Sequence, residues 1–329
     1  MLRRNARFLA IPLAALLVAA CTSAAATPTV APTPTPAPAT AAAVVTPAPT
    51  PAPTVAPTPA PTANPCDKAA LKTLAAGKLT IGTDNPAYPP YFAAPSDGKY
   101  HAPWKADTGD PYTGEGFESA VAYAVAGKLG FAQADVTWTS VPFDNSFKPG
   151  TKTFDFYMAQ VSYTTERAQA VDLSDGYYFV NQAVVALKTN DVTKAKSVAD
   201  LQKFKFGAQT STTAYTTITD TIKPTAKAMV YNTNDAAIAA LKAKQIDALV
   251  VDAPTADFIT NVQLDGSTIV GQFPAAQGAN AEHFSMVLAK GSGLTTCVNQ
   301  AIAALKSDGT LDTITKKWLA FVSVPVFGQ

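Results

Sequence analysis

Strand-like and helix-like segments alternate along most of this chain, and this alternation constrains its fold more than any other feature. "KLTIGTD" (78–84) is a short apolar run that ends in turn residues, as strands often do. "GEGFESAVAYAVAGKLG" (114–130) predicts an amphipathic helix, because apolar residues recur four apart at Phe117, Val121, Val125 and Leu129. After two more strand-like segments, a further helix is predicted to begin at Thr164. Such alternation favours mostly parallel sheets with helices on both faces.

A second series of alternating segments follows the first and predicts a second lobe. If Cys66, just before the first strand, bonds to Cys297 in a C-terminal helix, that helix must pack on the first lobe. The chain would then cross between the two α/β lobes twice, near residues 181–189 and 282–290, and two crossovers make a hinge. We expect lobe 1 to comprise residues 66–185 and 284–329, and lobe 2 to comprise residues 186–283.

The first 21 residues have the organisation of an export signal. "MLRRNAR" is basic, and "FLAIPLAALLVAAC" is apolar but short for a membrane-spanning helix. The end of this stretch resembles a bacterial lipobox, in which a peptidase cuts before a lipid-carrying cysteine. We expect residues 1–20 to be a lipoprotein signal peptide and Cys21 to be lipidated. An ordinary cleavage site beside an incidental cysteine is the alternative.

The segment after the signal predicts a stalk. From Ala24 to Pro65 the sequence consists almost only of Ala, Pro, Thr and Val, which lack the large apolar side chains that a core requires. In polyproline-II conformation, at about 3.1 Å per residue, such a segment extends over something on the order of 100 Å. We expect residues 21–65 to tether the folded part to the outer face of the cytoplasmic membrane.

Charge and motif content exclude several classes of function. A net charge of +1 with 15% charged residues argues against a nucleic-acid partner. The chain has two histidines, no C-x-x-C pair and no Walker loop, so we expect no metal, no cofactor and no catalytic triad. Asp107-Thr108-Gly109 spells the tripeptide of aspartic proteases, but it lies in a Lys/Pro/Gly-rich loop and is interpreted as a turn.

Two cysteines remain after Cys21. Cys66 and Cys297 would belong to an exported protein, and disulfides persist outside the cytoplasm. We predict that they pair, with two buried thiols as the alternative.

"QVSYTTERAQAVDLSD" (160–175) places Arg167 behind a run of hydroxyl side chains. A guanidinium together with hydroxyl and backbone donors is well suited to hold a carboxylate. Ser162, Thr164 and Arg167 supply these groups, with Thr164 as the predicted N-cap. The alternative is a surface ion pair between Arg167 and Asp172 or Asp175.

Five segments occur in the order and spacing of a known family. They are "KLTIGTDNPAYPPY", "GFESAVAYAVAGKLGF", "VSYTTERAQAVDLSDGYY", "FGAQTSTTAY" and "QIDALVVDAPTADF". Together they resemble the extracellular solute-binding proteins of polar amino acid ABC importers, family 3, over essentially all of residues 66–329. The resemblance implies a two-lobed, periplasmic-binding-protein-like α/β fold with two hinge crossovers.

The resemblance also implies which residues hold the ligand backbone. Arg167 stands at the arginine that clamps the α-carboxylate, next to Ser162. Thr212 and Thr213 match the second-lobe turn that completes the carboxylate pocket, although Ser211 replaces the usual glycine. Asp252 matches the aspartate that pairs with the α-ammonium. From the residues alone, Asp252 could equally cap the following helix.

The resemblance also implies ligand contacts for further residues of the first lobe. Gln160 stands where the family often contacts the ligand amino group. Pocket residues of the family are matched by Asp84, Tyr88 and Phe143, for which turn and core packing is the alternative. "KYHAPWKADTGDPYT" (99–113) is longer than the hairpin common at this place, and it forms either a lid or a surface loop.

The function that the resemblance implies is transport rather than catalysis. The chain is expected to be a monomeric lipoprotein that captures a free amino acid, polar or basic, and delivers it to a membrane permease. An enzyme of the dehydratase type and a sensor module on the same fold are the alternatives.

Overall fold

The computed structural model describes residues 64–274, 278, 281–319 and 324–328. The predicted signal peptide (1–20), the lipidation site at Cys21 and residues 22–63 of the predicted stalk lie outside the described residues. Within the described ranges, no helix is long and apolar enough to cross a membrane.

The first lobe is built on a five-stranded sheet. Its strands are β1 (Leu79–Thr83), β2 (Val136–Ser140), β3 (Phe156–Tyr157), β4 (Asp172–Leu173) and β12 (Val287–Leu288), in the spatial order β2-β1-β3-β12-β4. β1 is parallel to β2 and β3, whereas β12 is antiparallel to β3 and β4. The helices of this lobe are α1 (Phe117–Lys128), α2 (Phe143–Ser146), α3 (Thr165–Ala170), α8 (Thr295–Ser307) and α9 (Thr310–Trp318).

The core of the first lobe confirms the predicted face of α1. Phe117, Val121, Val125 and Leu129 are all buried, and they share one apolar cluster with residues of α8 and α9. Burying a large apolar side chain stabilises a fold by roughly 1.5–3 kcal/mol. This face therefore holds the two C-terminal helices on the first lobe.

A disulfide bond joins Cys66 to Cys297, with their Cα atoms 5.3 Å apart. The predicted pairing is confirmed. It ties the segment before β1 to α8, and Cys297 is itself buried in the core of the first lobe.

The second lobe has its own five-stranded sheet, in the spatial order β10-β6-β9-β7-β8. The strands are β6 (Gln182–Leu187), β7 (Phe206–Gln209), β8 (Met229–Tyr231), β9 (Ala248–Asp252) and β10 (Ser267–Gln272). The helices are α4 (Val198–Leu201), α5 (Thr213–Thr216), α6 (Asn234–Lys242) and α7 (Ala253–Phe258), with π-helical turns after α5 and α7. Val184 and Val185, neighbours in β6, enter separate apolar clusters, because successive side chains of a strand point to opposite faces.

The α/β fold class is confirmed, and in each sheet four of the five strands run in the same direction while one strand runs against them. β7 is parallel to β8 and β9, whereas β6 is antiparallel to β9 and β10. The antiparallel strand is β6 in the second lobe and β12 in the first lobe. Each of them follows directly after a crossover between the lobes.

The two crossovers lie side by side. They pair as β5 (Tyr178–Phe179) and β11 (His283–Phe284), which are antiparallel. The first crossover therefore begins before the predicted residues 181–189. The predicted lobe boundary after residue 185 falls inside β6, because the second sheet already pairs Gln182 with Asp252.

The described C-terminal residues 324–328 lie on the second lobe and not on the first, where the sequence analysis placed residues 284–329. Val326 bridges to Gln272, and the buried Phe327 belongs to a core cluster of the second lobe. Phe327 packs against the backbone of Gly271, where an added Cβ would come within 2.9 Å of its ring. The burial of this aromatic ring explains why the chain returns to the second lobe.

Candidate ligand-binding cleft

A cavity of about 150 Å³ lies between the lobes, and both contribute to its walls. Thr83, at the end of β1, faces it from the first lobe, and Gln209 and Asp252, at the ends of β7 and β9, face it from the second. Ligands of open α/β sheets bind at such carboxyl ends of strands. The structure brings together in these walls all nine residues that the sequence analysis selected: Asp84, Tyr88, Phe143, Gln160, Ser162, Arg167, Thr212, Thr213 and Asp252.

The start of α3 positions Arg167, the only arginine after residue 7. Thr164 is the N-cap, and its Oγ1 accepts a hydrogen bond from the backbone N–H of Arg167 at 3.1 Å, which confirms the predicted helix start. The Arg167 side chain is buried, whereas Asp175 is exposed and Asp172 lies 3.6 Å from Lys290. The alternative of a surface ion pair is therefore wrong.

The Arg167 guanidinium connects the lobes. Its Nη1 donates to the carbonyl oxygen of Ser162 at 2.5 Å, and its Nη2 donates to that of Ser211, in the second lobe, at 2.7 Å. A guanidinium has five N–H donors, so others remain for a bound carboxylate. Burial lowers the pKa of Arg167 to about 10, although the charges of Glu282 and Asp252 counteract this shift. The group therefore stays charged at neutral pH.

Phe147 supports the guanidinium from one side, and the sequence analysis missed it. The Arg167 Cζ atom lies 4.5 Å from the centre of the Phe147 ring and 5.6 Å from that of Phe143. A cation held over an aromatic face gains about 0.5–2 kcal/mol. The spacing of four between the two phenylalanines, across the single turn of α2, was the available signal.

Two carboxylates meet at the side-chain amide of Gln182. Its Nε2 donates to Asp252 Oδ1 at 2.6 Å and to Glu282 Oε1 at 3.1 Å. Asp252 stands at the N-cap of α7, but its side chain makes no capping hydrogen bond, so the capping alternative is wrong. Burial and the charge of Glu282 raise the pKa of Asp252 well above its usual range. An ammonium group beside Asp252 would stabilise its ionised form.

Glu282 was not selected from the sequence, yet it links the hinge to the cleft. Its Oε1 accepts a hydrogen bond from Ser162 Oγ at 2.7 Å, and Thr213 Oγ1 of the second lobe donates to the same Ser162 Oγ at 3.4 Å. Thr212 caps the following helix α5. Ser211 adopts φ +60°, the left-handed conformation that glycine favours, so the backbone keeps its close approach to Arg167.

Two tyrosines of the first lobe, Tyr88 and Tyr91, make hydrogen bonds to side chains of the second lobe in another part of the cavity wall. Tyr88 Oη donates to Asp235 Oδ2 at 2.9 Å, and Tyr91 Oη lies 3.1 Å from Thr255 Oγ1. Burial and the hydrogen bond to Asp235 raise the pKa of Tyr88 to about 12. Burial also raises the pKa of Asp84. The lobes are thus in contact around the cavity.

Gln160 is held by a buried acid, Glu118 of α1. The backbone N–H of Gln160 donates to Glu118 Oε1 at 2.7 Å, and the Gln160 side-chain amide and Tyr177 Oη also donate to this carboxylate. Burial raises the pKa of Glu118 to about 7. Gln160 itself has φ +52°, which is uncommon outside glycine, and these bonds hold it in that conformation.

Two α/β lobes joined by paired crossovers, with a buried cation and carboxylates around one interlobe cavity, are the construction of solute-binding proteins. The family model described as bacterial extracellular solute-binding proteins, family 3, matches residues 79–321, and the chain belongs to this family.

Individual relatives agree with this assignment. The "Probable histidine-binding protein" of Campylobacter jejuni is 30% identical over 207 residues, which cover 62% of this chain and 76% of the relative. A solved ancestral arginine-binding protein bound to glutamine is 29% identical, with a TM-score of 0.59, over 74% of this chain and 99% of that structure. A solved ancestral amino acid-binding protein, described as a precursor of cyclohexadienyl dehydratase, is 27% identical, with a TM-score of 0.58, over 74% of this chain and 95% of that one.

Proposed function

We propose that this protein binds a free amino acid between its lobes and delivers it to the permease of an ABC importer. The presence of Arg167 and Asp252 in the wall of one cavity supports this proposal most. The guanidinium has donors left for an α-carboxylate, and the carboxylate of Asp252 is stabilised in its ionised form by an α-ammonium. The other residues predicted to contact the ligand lie in the same walls.

The acids around the cavity favour a polar or basic ligand side chain. Besides Asp252, the wall contains Asp84 and Asp235, while Arg167 is its one cationic residue. A second positive charge on the ligand reduces the repulsion among these carboxylates. The relatives described above, a probable histidine-binding protein and an ancestral arginine-binding protein bound to glutamine, are consistent with this side-chain class.

Ligand binding would stabilise the closed arrangement of the lobes. A ligand that contacts Arg167 and Asp252 together gains both sets of interactions only when the lobes are closed. The direct interlobe bonds of Tyr88 and Tyr91 support such a state, because they also form only on closure.

The predicted lipid anchor would hold a monomeric receptor near its permease. The family is extracytoplasmic, and a lipidated Cys21 with the stalk of residues 21–65 would restrict the binding domain to the membrane surface. Tethering of this kind raises the effective concentration of the receptor at its partner.

We infer a binding protein rather than an enzyme of the dehydratase type. Two of the acids with raised pKa, Glu118 and Asp252, accept hydrogen bonds from neighbouring side chains, Glu118 from Gln160 and Tyr177 and Asp252 from Gln182. These hydrogen bonds hold the two carboxylates in fixed positions. Such fixed carboxylates support a binding role for the protein.

A thermal-shift screen of the twenty amino acids tests the proposal. A ligand at 100 times its dissociation constant adds about 2.7 kcal/mol to the unfolding free energy, because it binds only the folded state. We expect a polar or basic amino acid to give such a shift and to be recovered unchanged, as judged by mass spectrometry. If no amino acid shifts the transition, the assignment is wrong, and chemical conversion of the ligand would identify an enzyme instead.

A further inference from the structure

Residues 99–113 are packed into the first lobe and do not form a lid. Trp104 is 2% exposed, Thr108 is 8% exposed and Asp110 is 0% exposed. Trp104 belongs to the same apolar cluster as α1 and α8. A segment with such anchors is part of the body of the lobe.

The buried carboxylate of Asp110 organises the segment from within. It accepts hydrogen bonds from the backbone N–H of His101 at 2.7 Å, from His101 Nδ1 at 2.9 Å and from the backbone N–H of Tyr112 at 3.0 Å. Thr108 Oγ1 donates to the carbonyl oxygen of Lys105 at 2.7 Å and closes the turn between these anchors. The segment therefore has a fixed shape of its own.

Three further hydrogen bonds connect this segment to residues 84–93, most of which line the cavity. Trp104 Nε1 donates to the carbonyl oxygen of Asp84 at 3.1 Å. The backbone N–H groups of Gly109 and Asp110 donate to the carbonyl oxygens of Ala87 and Ala93 at 2.5 and 3.0 Å. The bonded carbonyls lie on both sides of Tyr88, and Asp84, Ala87 and Tyr88 all line the cavity.

Gly109 shows how closely residues 99–113 approach the wall segment from Asp84 to Phe92. A Cβ at this position would lie 2.0 Å from the carbonyl oxygen of Phe92, which also lines the cavity. Only glycine permits this contact. The approach leaves the wall from Asp84 to Phe92 little room to move relative to residues 99–113.

We propose that residues 99–113 brace the Asp84 wall of the cleft, and that Trp104 is a positioning residue that sets selectivity for the ligand side chain. The proposal rests on amino acid binding as proposed above. Its physical basis is that a carboxylate selects a cationic side chain only when its position is fixed to within a fraction of an ångström. Arg167 and Asp252, which hold the ligand backbone, lie outside the braced segment.

The test compares Trp104→Phe with the wild-type protein. The substitution keeps an aromatic ring and removes the N–H donor to Asp84. Isothermal titration with L-arginine is expected to show a roughly three- to tenfold weaker affinity, the loss that one hydrogen bond corresponds to. L-Alanine, which has the same backbone groups and no long side chain, should bind the variant and the wild type within twofold of each other.

Trp138→Phe is the matched control. Trp138 is also buried in the first lobe, donates its indole N–H to Tyr123 Oη at 3.2 Å and is not in the cavity wall. We expect both variants to melt lower by similar amounts and only Trp104→Phe to lose selectivity. Equal weakening of L-arginine and L-alanine, or no change for either, would overturn the proposal. If Trp104→Phe does not fold, Thr108→Val loosens the same turn and is expected to shift selectivity in the same direction.

Hydrogen exchange without ligand separates the brace from the binding proposal. The amides of Gly109 and Asp110 are expected to exchange faster in Trp104→Phe and at the wild-type rate in Trp138→Phe. Unchanged exchange would contradict the brace even if amino acids bind. Faster exchange in a protein whose thermal transition none of the twenty amino acids shifts would support the brace and show that the assigned ligand class is wrong.

Discussion

Glu118 is a buried side chain that makes the stability of the folded protein depend on pH. It is fully buried in α1, and its carboxylate accepts hydrogen bonds from Gln160, a residue of the cleft wall, and from Tyr177. Burial raises its pKa from 4.5 to about 7, and the hydrogen bonds offset only part of that increase. The folded protein therefore keeps a proton on Glu118 over a pH range in which the unfolded chain has lost it.

The sign of the resulting pH dependence follows from this proton. Between about pH 4.5 and 7 the folded state binds more protons than the unfolded state, so the unfolding free energy falls as the pH rises. The contribution of Glu118 is on the order of 3 kcal/mol across this window. We expect the fall in unfolding free energy to be smaller in Glu118→Gln by this contribution, as measured by urea denaturation at pH 5 and pH 8.

Glu115→Gln is the matched control, because Glu115 is an exposed glutamate in the same segment. It should keep the pH dependence of the wild type. A Glu118→Gln variant with the wild-type pH slope would show that Glu118 is already ionised in the folded protein.

The disulfide fixes the N-terminal edge of the folded part to α8. Cys66 and Cys297 are 231 residues apart in sequence, so the bond closes nearly the whole described chain into one loop. Such a cross-link mainly restricts the unfolded chain, and removing a native disulfide typically costs 2–5 kcal/mol.

The double variant Cys66→Ser/Cys297→Ser is expected to have an unfolding free energy roughly 2–5 kcal/mol lower than that of the wild type. Its affinity for amino acids should stay within twofold of the wild type, because neither cysteine lines the interlobe cavity. Urea denaturation with and without a reductant checks this, and the reductant should affect only the wild type. A stability that reductant leaves unchanged in the wild type would contradict the structural role of the bond.

Local signals in the sequence predicted those features of the molecule that depend on local structure. The N-cap at Thr164 placed Arg167 in the third position of α3, and the four-residue repeat of α1 identified its buried face. The resemblance to the family supplied the remaining cleft residues, whose own neighbours in sequence left other roles open. Asp252, for example, had the sequence context of a helix cap.

The parts that the sequence did not predict depend on contacts between distant segments. Gln182 and Glu282 are 100 residues apart and meet only because the two crossovers pair. Phe327 gives no sign in its own segment that it fills a space above Gly271 in the second lobe. The direction of β6 and β12 likewise follows from the path of the chain between lobes and not from their apolar pattern.

Arg167 is proposed to bind the α-carboxylate of an amino acid in the cleft. The most direct measurement is an isothermal titration of wild type and Arg167→Ala with the amino acid that gives the largest thermal shift, and with its α-carboxamide. We predict that the wild type prefers the free acid by roughly 30-fold or more, since loss of one partner of a buried charge pair costs about 2–5 kcal/mol. Arg167→Ala should bind the free acid as weakly as the amide. A folded Arg167→Ala variant that binds the free acid as tightly as the wild type, or keeps its preference over the amide, would contradict the account.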